Sequence, residues 1–156
     1  MSVIEKLHSI QVQILDKRLG EQWPLPGYAT EGSAAMDLTA CLDAPVMLQP
    51  SESKLIPSGI AIYIQNHAYA AKILPRSGLG HKKGIVLGNG TGLIDADYQG
   101  PLFVSCLNRG DKAFTVQPGD RIAQIIFIPI ERPTLDIVES FVRTERGEGG
   151  FGSTGV

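Results

Sequence analysis

Five short segments of this chain set polar or charged side chains beside turns or strands, and two of them suit a phosphorylated ligand. The last eleven residues, Arg146-Gly147-Glu148-Gly149-Gly150-Phe151-Gly152-Ser153-Thr154-Gly155-Val156, include five glycines. Their bare N–H groups and the Ser153 and Thr154 hydroxyls can cradle phosphate oxygens. Arg146 can fork onto those oxygens, and Phe151 can stack on a base. The same composition also fits a disordered chain end, because there is almost no apolar side chain to bury. Pro75-Arg76-Ser77-Gly78 follows the apolar pair Ile73-Leu74 and offers a fork, a hydroxyl and open N–H groups together. That set suits phosphate; it also suits a plain strand-to-loop turn. Asn89-Gly90 is a hairpin signal, and Asp95, Asp97 and Tyr98 cluster just after it. Gly119-Asp120-Arg121 is a turn entering a strand that carries Gln124. Asp37 sits in the otherwise apolar Ala34–Ala40 stretch, as an outward or ion-paired carboxylate or as a working one.

These groups must be held by strands. Ile10, Val12 and Ile14 alternate with polar residues, as do Ile60, Ile62 and Ile64. Leu102-Phe103-Val104 and Ile125-Ile126-Phe127-Ile128 are apolar runs of strand length. Ten prolines and 18 glycines punctuate the chain, which marks turns at short intervals. No window of helical length shows a 3.6-residue stripe; Ser77–Lys83 has room for a short helical turn at most. Many short strands with turn signals between them predict an all-β sandwich, jelly roll or barrel. The composition shifts near Arg143, which divides a core at 1–143 from a glycine-rich arm at 144–156.

At 156 residues one domain is expected. A formal net charge of −2 implies no broad basic surface, so no nucleic-acid partner is expected. An anionic ligand must be met by a few placed arginines, N–H groups or a metal. Cys41 and Cys106 are isolated in apolar stretches and read as buried thiols. No window approaches the ~18 apolar residues of a membrane span, and the start lacks the order of a secretory signal. A cytoplasmic setting with no membrane partner is expected.

In this order, the five segments resemble the five motifs of the trimeric dUTPase family. The resemblance runs from about Gly32 to Gly155. It implies a distorted, β-clip-like jelly-roll subunit with a flexible C-terminal arm. It also implies a homotrimer with active sites shared between subunits, and hydrolysis of dUTP to dUMP and pyrophosphate with Mg2+. Such an activity keeps uracil out of DNA and supplies dUMP for thymidylate synthesis.

Residue roles follow from the resemblance. Asp95 matches the carboxylate that activates the attacking water on the α-phosphorus and touches the sugar 3′-hydroxyl. Gln124 matches a further partner of that water. Ser77 matches the hydroxyl beside the bridging oxygens, where it stabilises departing charge. Arg76 and the Gly78 N–H match groups that hold the phosphate chain. The hairpin over Asn89, Leu93 and Ile94 matches the segment whose main chain reads uracil, refusing cytosine by donor–acceptor mismatch. Tyr98 matches the ring that packs on deoxyribose and leaves no room for a 2′-hydroxyl. Phe103 matches a main-chain contact beside the hairpin. In the arm, Phe151 matches the base-stacking ring, and Arg146, Ser153 and Thr154 the γ-phosphate grip. The Mg2+ would be held mainly by substrate phosphates and waters. Asp37 holds either a metal-bound water or a neighbouring arginine, and Arg121 has a structural role of the same kind.

Two positions depart from the commonest family pattern: Thr39 stands where many relatives carry a basic residue, and Ala96 where many carry Ser. Neither removes a group the mechanism needs. The related dCTP deaminases carry a glutamate on the strand after the third motif; the matching position here is Ser105, which lacks the acid–base group. A non-catalytic nucleotide-binding trimer is the other alternative, since fold alone does not fix function. Against it stand Asp95, Ser77 and the tail, all retained.

Overall fold

In the computed structural model, which describes residues 6–150, the alternating pattern becomes ten strands and one short helix. In chain order these are β1 (Gln11–Ile14), β2 (Met36–Thr39), β3 (Val46–Leu48), β4 (Ser53–Tyr63), β5 (Tyr69–Leu74), α1 (Ser77–Lys83), β6 (Ile85–Leu87), β7 (Gly92–Ile94), β8 (Pro101–Asn108), β9 (Phe114–Val116) and β10 (Arg121–Pro129). All pairing between these strands is antiparallel. One sheet has the order β1-β4-β8-β6, the other β2-β10-β5-β7, and β3 and β9 form a separate ladder. This is the expected all-β jelly roll.

The core lies between the sheets. Ile60, Ile62 and Ile64 are buried, as their spacing predicts, against Leu102 and Val104 of β8 and Ile122 and Ile125 of β10. Filling such a position removes roughly 1.5–3 kcal/mol worth of apolar surface from water. The apolar run in β8 is not buried throughout: Phe103 points outward at 47% exposure. The two-residue period forces it to the face opposite Leu102 and Val104. The strand β4 is long enough to serve two partners, β8 over its first half and β1 over its second. Its register with β8 shifts between Pro57 and Ala61. There Gly59 takes φ +74°, and a Cβ on it would come 2.5 Å from the Cys41 sulfur. The Ser58 hydroxyl donates to Leu102 O at 2.8 Å, supplying a bond where the ladder is interrupted.

Cys41 and Cys106 are free and buried. Burial pushes the Cys41 thiol up to about 11 and that of Cys106 up to about 12. Since the thiolate is the reactive form, neither should react with iodoacetamide at pH 8 in the folded protein. Both should react after denaturation, and mass spectrometry of the alkylated chain checks this.

Beyond β10 the chain is exposed over residues 131–148. Leu135, Ile137, Phe141 and Val142 are at least 90% exposed. No helix among the described residues is long and apolar enough to cross a membrane.

Candidate active site

Strand register alone gathers three of the five segments. Gln124 on β10 lies opposite Asp37 of β2 on one side and Leu74 of β5 on the other. Pro75 and Arg76 leave β5 at this point. Asp37 accepts from Arg76 Nε at 2.8 Å through one oxygen and from Arg121 Nη1 at 3.3 Å through the other. Arg76 also donates to Arg121 O at 3.3 Å. The Gln124 amide nitrogen donates to Pro75 O at 2.9 Å, tying β10 to the loop before α1. Ser77 and Gly78 open α1 and are exposed; first-turn N–H groups of a helix have no intrahelical acceptor.

The electrostatics favour an anion here. One carboxylate is shared by two guanidinium groups, which leaves a surplus of positive charge. Side-chain exposures of 28% for Asp37, 30% for Arg76 and 58% for Arg121 put each pair below about 1 kcal/mol in stability. Their main effect is to aim the arginines. Asp37 is thus paired with the neighbouring Arg76 and Arg121.

The Asn89-Gly90 segment departs from a simple hairpin. The turn is present: Gly90 has φ +72°, its N–H donates to Leu87 O at 3.0 Å, and Thr91 N–H donates to Asn89 O at 2.8 Å. The flanking strands, however, do not pair with each other. The strand β6 pairs with β8 in one sheet, and β7 pairs with β5 in the other. Each is the edge of its sheet among the described residues. An Asn-Gly dipeptide reverses the chain, but it does not decide which partner the flanking apolar residues take. The turn and the two strand edges bound a slot, and neither strand has a ladder partner on its outer side among the described residues. Asn89, Leu93 and Ile94 belong to this slot.

Asp95 and Asp97 are exposed beyond it, while Ala96 anchors the segment in the core. Tyr98 donates its hydroxyl to Pro101 O at 3.0 Å, and its N–H donates to Asp95 O at 3.2 Å. Phe103 stands on the outward face of β8, two residues from Ser105, whose carbonyl takes the Gly88 N–H at 2.8 Å. Ser105 also has its hydroxyl where a Cβ on Gly88 would come within 2.9 Å.

The two groups are far apart within one chain. Ile94 pairs with Ala71 and Gln124 with Leu74. At ~3.4 Å per strand residue, Arg76 lies roughly 17 Å beyond Ala71. Asp95 instead shares a cavity of about 400 Å³ with His67, Ala96, Asp97, Ile130 and Arg132, at the opposite end of β10 from Arg121. Reacting atoms must come within about 3.5 Å of each other, with a general base in hydrogen-bond reach of the water it activates. One chain therefore carries two half-sites and brings Asp95 together with neither Ser77 nor Gln124.

Arg146 is exposed and donates from Nε to Gly149 O at 3.0 Å within its own turn. Phe151, Ser153 and Thr154 lie outside the described residues. Among the described residues, no three His, Cys, Asp or Glu side chains come together. Both Asp37 oxygens already accept from arginine, but each carboxylate oxygen has a second lone pair. The residues present would fit a hard cation that keeps its waters.

Sequence reasoning did not pick out His67 and Arg132, which line the Asp95 cavity. Each is an isolated polar residue with no motif around it. It likewise missed the Gln124–Pro75 bond, which depends on a register between residues 49 apart.

Comparison with known proteins identifies the family. A family model described as dUTPase matches residues 21–155. The deoxyuridine 5'-triphosphate nucleotidohydrolase of Xanthomonas campestris pv. campestris is 63% identical over 148 residues, covering 95% of this chain and 97% of that one. A solved Staphylococcus bacteriophage 80alpha dUTPase with dUPNHPP superimposes with a TM-score of 0.83 at 29% identity, over 96% of this chain and 99% of that one. A mutant dUTPase from phage phi11 of S. aureus, whose structure reveals the coordination of a structural Mg(II) ion, gives 0.74 at 25% identity, over 86% of this chain and 99% of that one.

Proposed function

This chain belongs to the dUTPase family, and we propose that it hydrolyses dUTP to dUMP and pyrophosphate at sites assembled between copies of itself. That reaction withdraws a uracil nucleotide from DNA synthesis and leaves dUMP for thymidylate formation. The observation that carries the assembly is the separation of the half-sites along β5 and β10. A homotrimer answers it: one chain offers Asp95 and the slot, a neighbour offers Arg76, Ser77 and Gln124, and a third lends its arm. Cyclic symmetry repeats that arrangement at every interface. The exposed Leu135, Ile137, Phe141 and Val142 are further support, since so much bare apolar surface in one stretch marks an interaction segment.

In this reading the Asp95 carboxylate takes a proton from water as it attacks the α-phosphorus in line with the departing pyrophosphate. The Gln124 amide oxygen is free to orient that water, because the nitrogen is committed to Pro75 O. Ser77 and the first N–H groups of α1 face the bridging oxygens, where negative charge grows. Arg76, aimed by Asp37, holds the phosphate chain. The slot from Asn89 to Ile94 reads the uracil edge with main-chain donors and acceptors. A cytosine there would leave buried groups unpaired, a mismatch worth on the order of 10⁴-fold in specificity. Tyr98 backs the sugar, and the Phe103 main chain lies beside the slot. When bound with the nucleotide, Mg2+ would neutralise phosphate charge and fix the chain's geometry, with Asp37 positioned to accept from a metal-held water.

Residues 144–156 act as the arm. Phe151 would cover the uracil, and Arg146, Ser153 and Thr154 the γ-phosphate, excluding bulk water. Deleting residues 146–156 should leave a folded assembly of unchanged size whose kcat/KM for dUTP is lower by about 100-fold or more. Size-exclusion chromatography with light scattering and steady-state kinetics test both halves of this. A truncated chain that unfolds or dissociates makes the arm structural instead.

The functional reading is tested by pyrophosphate release from dUTP, dTTP, dCTP and UTP, with and without Mg2+. Turnover confined to dUTP and stimulated by Mg2+ is expected. Ammonia release from dCTP, or binding of dUTP without turnover, would replace it with one of the two alternatives.

A further inference from the structure

We propose that Gly100 is a positioning residue for sugar selection, the seat that holds the Tyr98 ring in place. Gly100 is half-buried and lies two residues beyond Tyr98, immediately before β8. A Cβ built on it would come 2.5 Å from the Tyr98 hydroxyl oxygen, 2.7 Å from Cζ and 3.2 Å from Cε2. These are all atoms of the outer half of one ring. The ring therefore rests against the bare Cα of Gly100, and there is no space for even a methyl group between them.

The backbone does not explain the glycine. Gly59, Gly84, Gly90 and Gly119 all have positive φ, a region where glycine is favoured, and Gly100 is not among the positive-φ glycines. An alanine can adopt its conformation. What an alanine cannot do is leave Tyr98 where it stands.

The ring is pinned on its other sides as well. Its hydroxyl donates to Pro101 O at 3.0 Å, and the Tyr98 N–H closes a turn onto Asp95 O at 3.2 Å. The same short loop thus holds the base, the sugar-facing ring and its seat. Tyr98 is 42% exposed, and the seat and the hydroxyl bond both act on its ring tip. A methyl group at position 100 drives the ring tip away from Pro101 O and breaks that bond. The freed ring no longer presents one fixed face to the sugar, and the space that excludes a 2′-hydroxyl opens.

The proposal rests on the reading of Tyr98 as the residue that packs against deoxyribose. The test is a double-mutant cycle read as the ratio of kcat/KM for dUTP to that for UTP. Gly100→Ala should lower the ratio about tenfold, mainly through KM for dUTP and through gained UTP turnover, with kcat for dUTP changed far less. Tyr98→Ala should also lower it. In the Tyr98→Ala background, adding Gly100→Ala should change the ratio less than about twofold, because no ring remains to displace. Tyr98→Phe, which removes the pinning hydroxyl and leaves the backbone alone, should lower the ratio by a smaller factor. It decides the matter if the Gly100 variant does not fold. An unchanged ratio in Gly100→Ala or Tyr98→Phe, or an equal Gly100→Ala effect in both backgrounds, overturns the proposal. So does an unchanged ratio in Tyr98→Ala while dUTP is still hydrolysed. Absence of dUTP turnover in the unmodified protein overturns the underlying reading and the proposal with it.

Discussion

Replacing Asp95 by Asn is expected to lower kcat for dUTP by about 10³-fold, within the range a positioned general base supplies. Binding of dUTP should change by no more than severalfold. The asymmetry follows from the position. Asp95 is exposed, and the segment is held by Ala96 in the core, by the Asp95 carbonyl's bond from Tyr98 N–H and by the Tyr98–Pro101 bond. None of these uses the Asp95 carboxylate, so the fold should survive the change. An amide of the same shape can still accept from a sugar hydroxyl, but it cannot take a proton from water. Calorimetric titration with dUTP measures binding, and quench-flow kinetics measures the chemical step. A variant that hydrolyses dUTP at close to the unmodified rate would remove Asp95 from the role of base.

Much of the fold is legible in the chain because it follows from a short period. Ile60, Ile62 and Ile64 alternate in sequence, and all three face the core. Gly119 announces its turn and has φ +88°. The Ser77–Lys83 stretch reads as a short helical turn at most, and α1 spans all seven residues, a longer helix than that reading allows. Local signals fail where the answer depends on a distant partner. Asp37 reads equally as a working or a paired carboxylate. Its partners Arg76 and Arg121 are 39 and 84 residues away, and only the β2-β10-β5 register brings them near. Asn89-Gly90 specifies a reversal but says nothing about which sheets its flanking strands join. Phe103 sits in an apolar run, and only the pleat shows it to be outward.

The candidate site shows the same limit more sharply. Motif resemblance supplies residue types and expected roles, and the four internal segments occupy strands and the turns beside them. The distance from Asp95 to Ser77 is not written in any one segment. It comes from pairing Ile94 with Ala71 and Gln124 with Leu74. Gly100 is invisible for a related reason: what makes it necessary is a tyrosine ring lying over it, and nothing in the sequence sets it apart from the rest of the 18 glycines.

The separation of half-sites leads to the second large effect. Asp95→Asn and Arg76→Ala each disable a different half. If every site takes one half from each of two chains, a mixed assembly contains some sites in which both halves are intact. Equal amounts of the two variants, unfolded together and refolded, should regain about a quarter of the unmodified specific activity, the share of interfaces that pair an intact Asp95 with an intact Arg76 in a cyclic assembly. The variants refolded separately and then combined should stay near their own low levels until subunits exchange. Specific activity of the co-refolded mixture is the direct measurement. Recovery to about a quarter is the predicted result; no activity above the average of the two parents would contradict a site shared between chains.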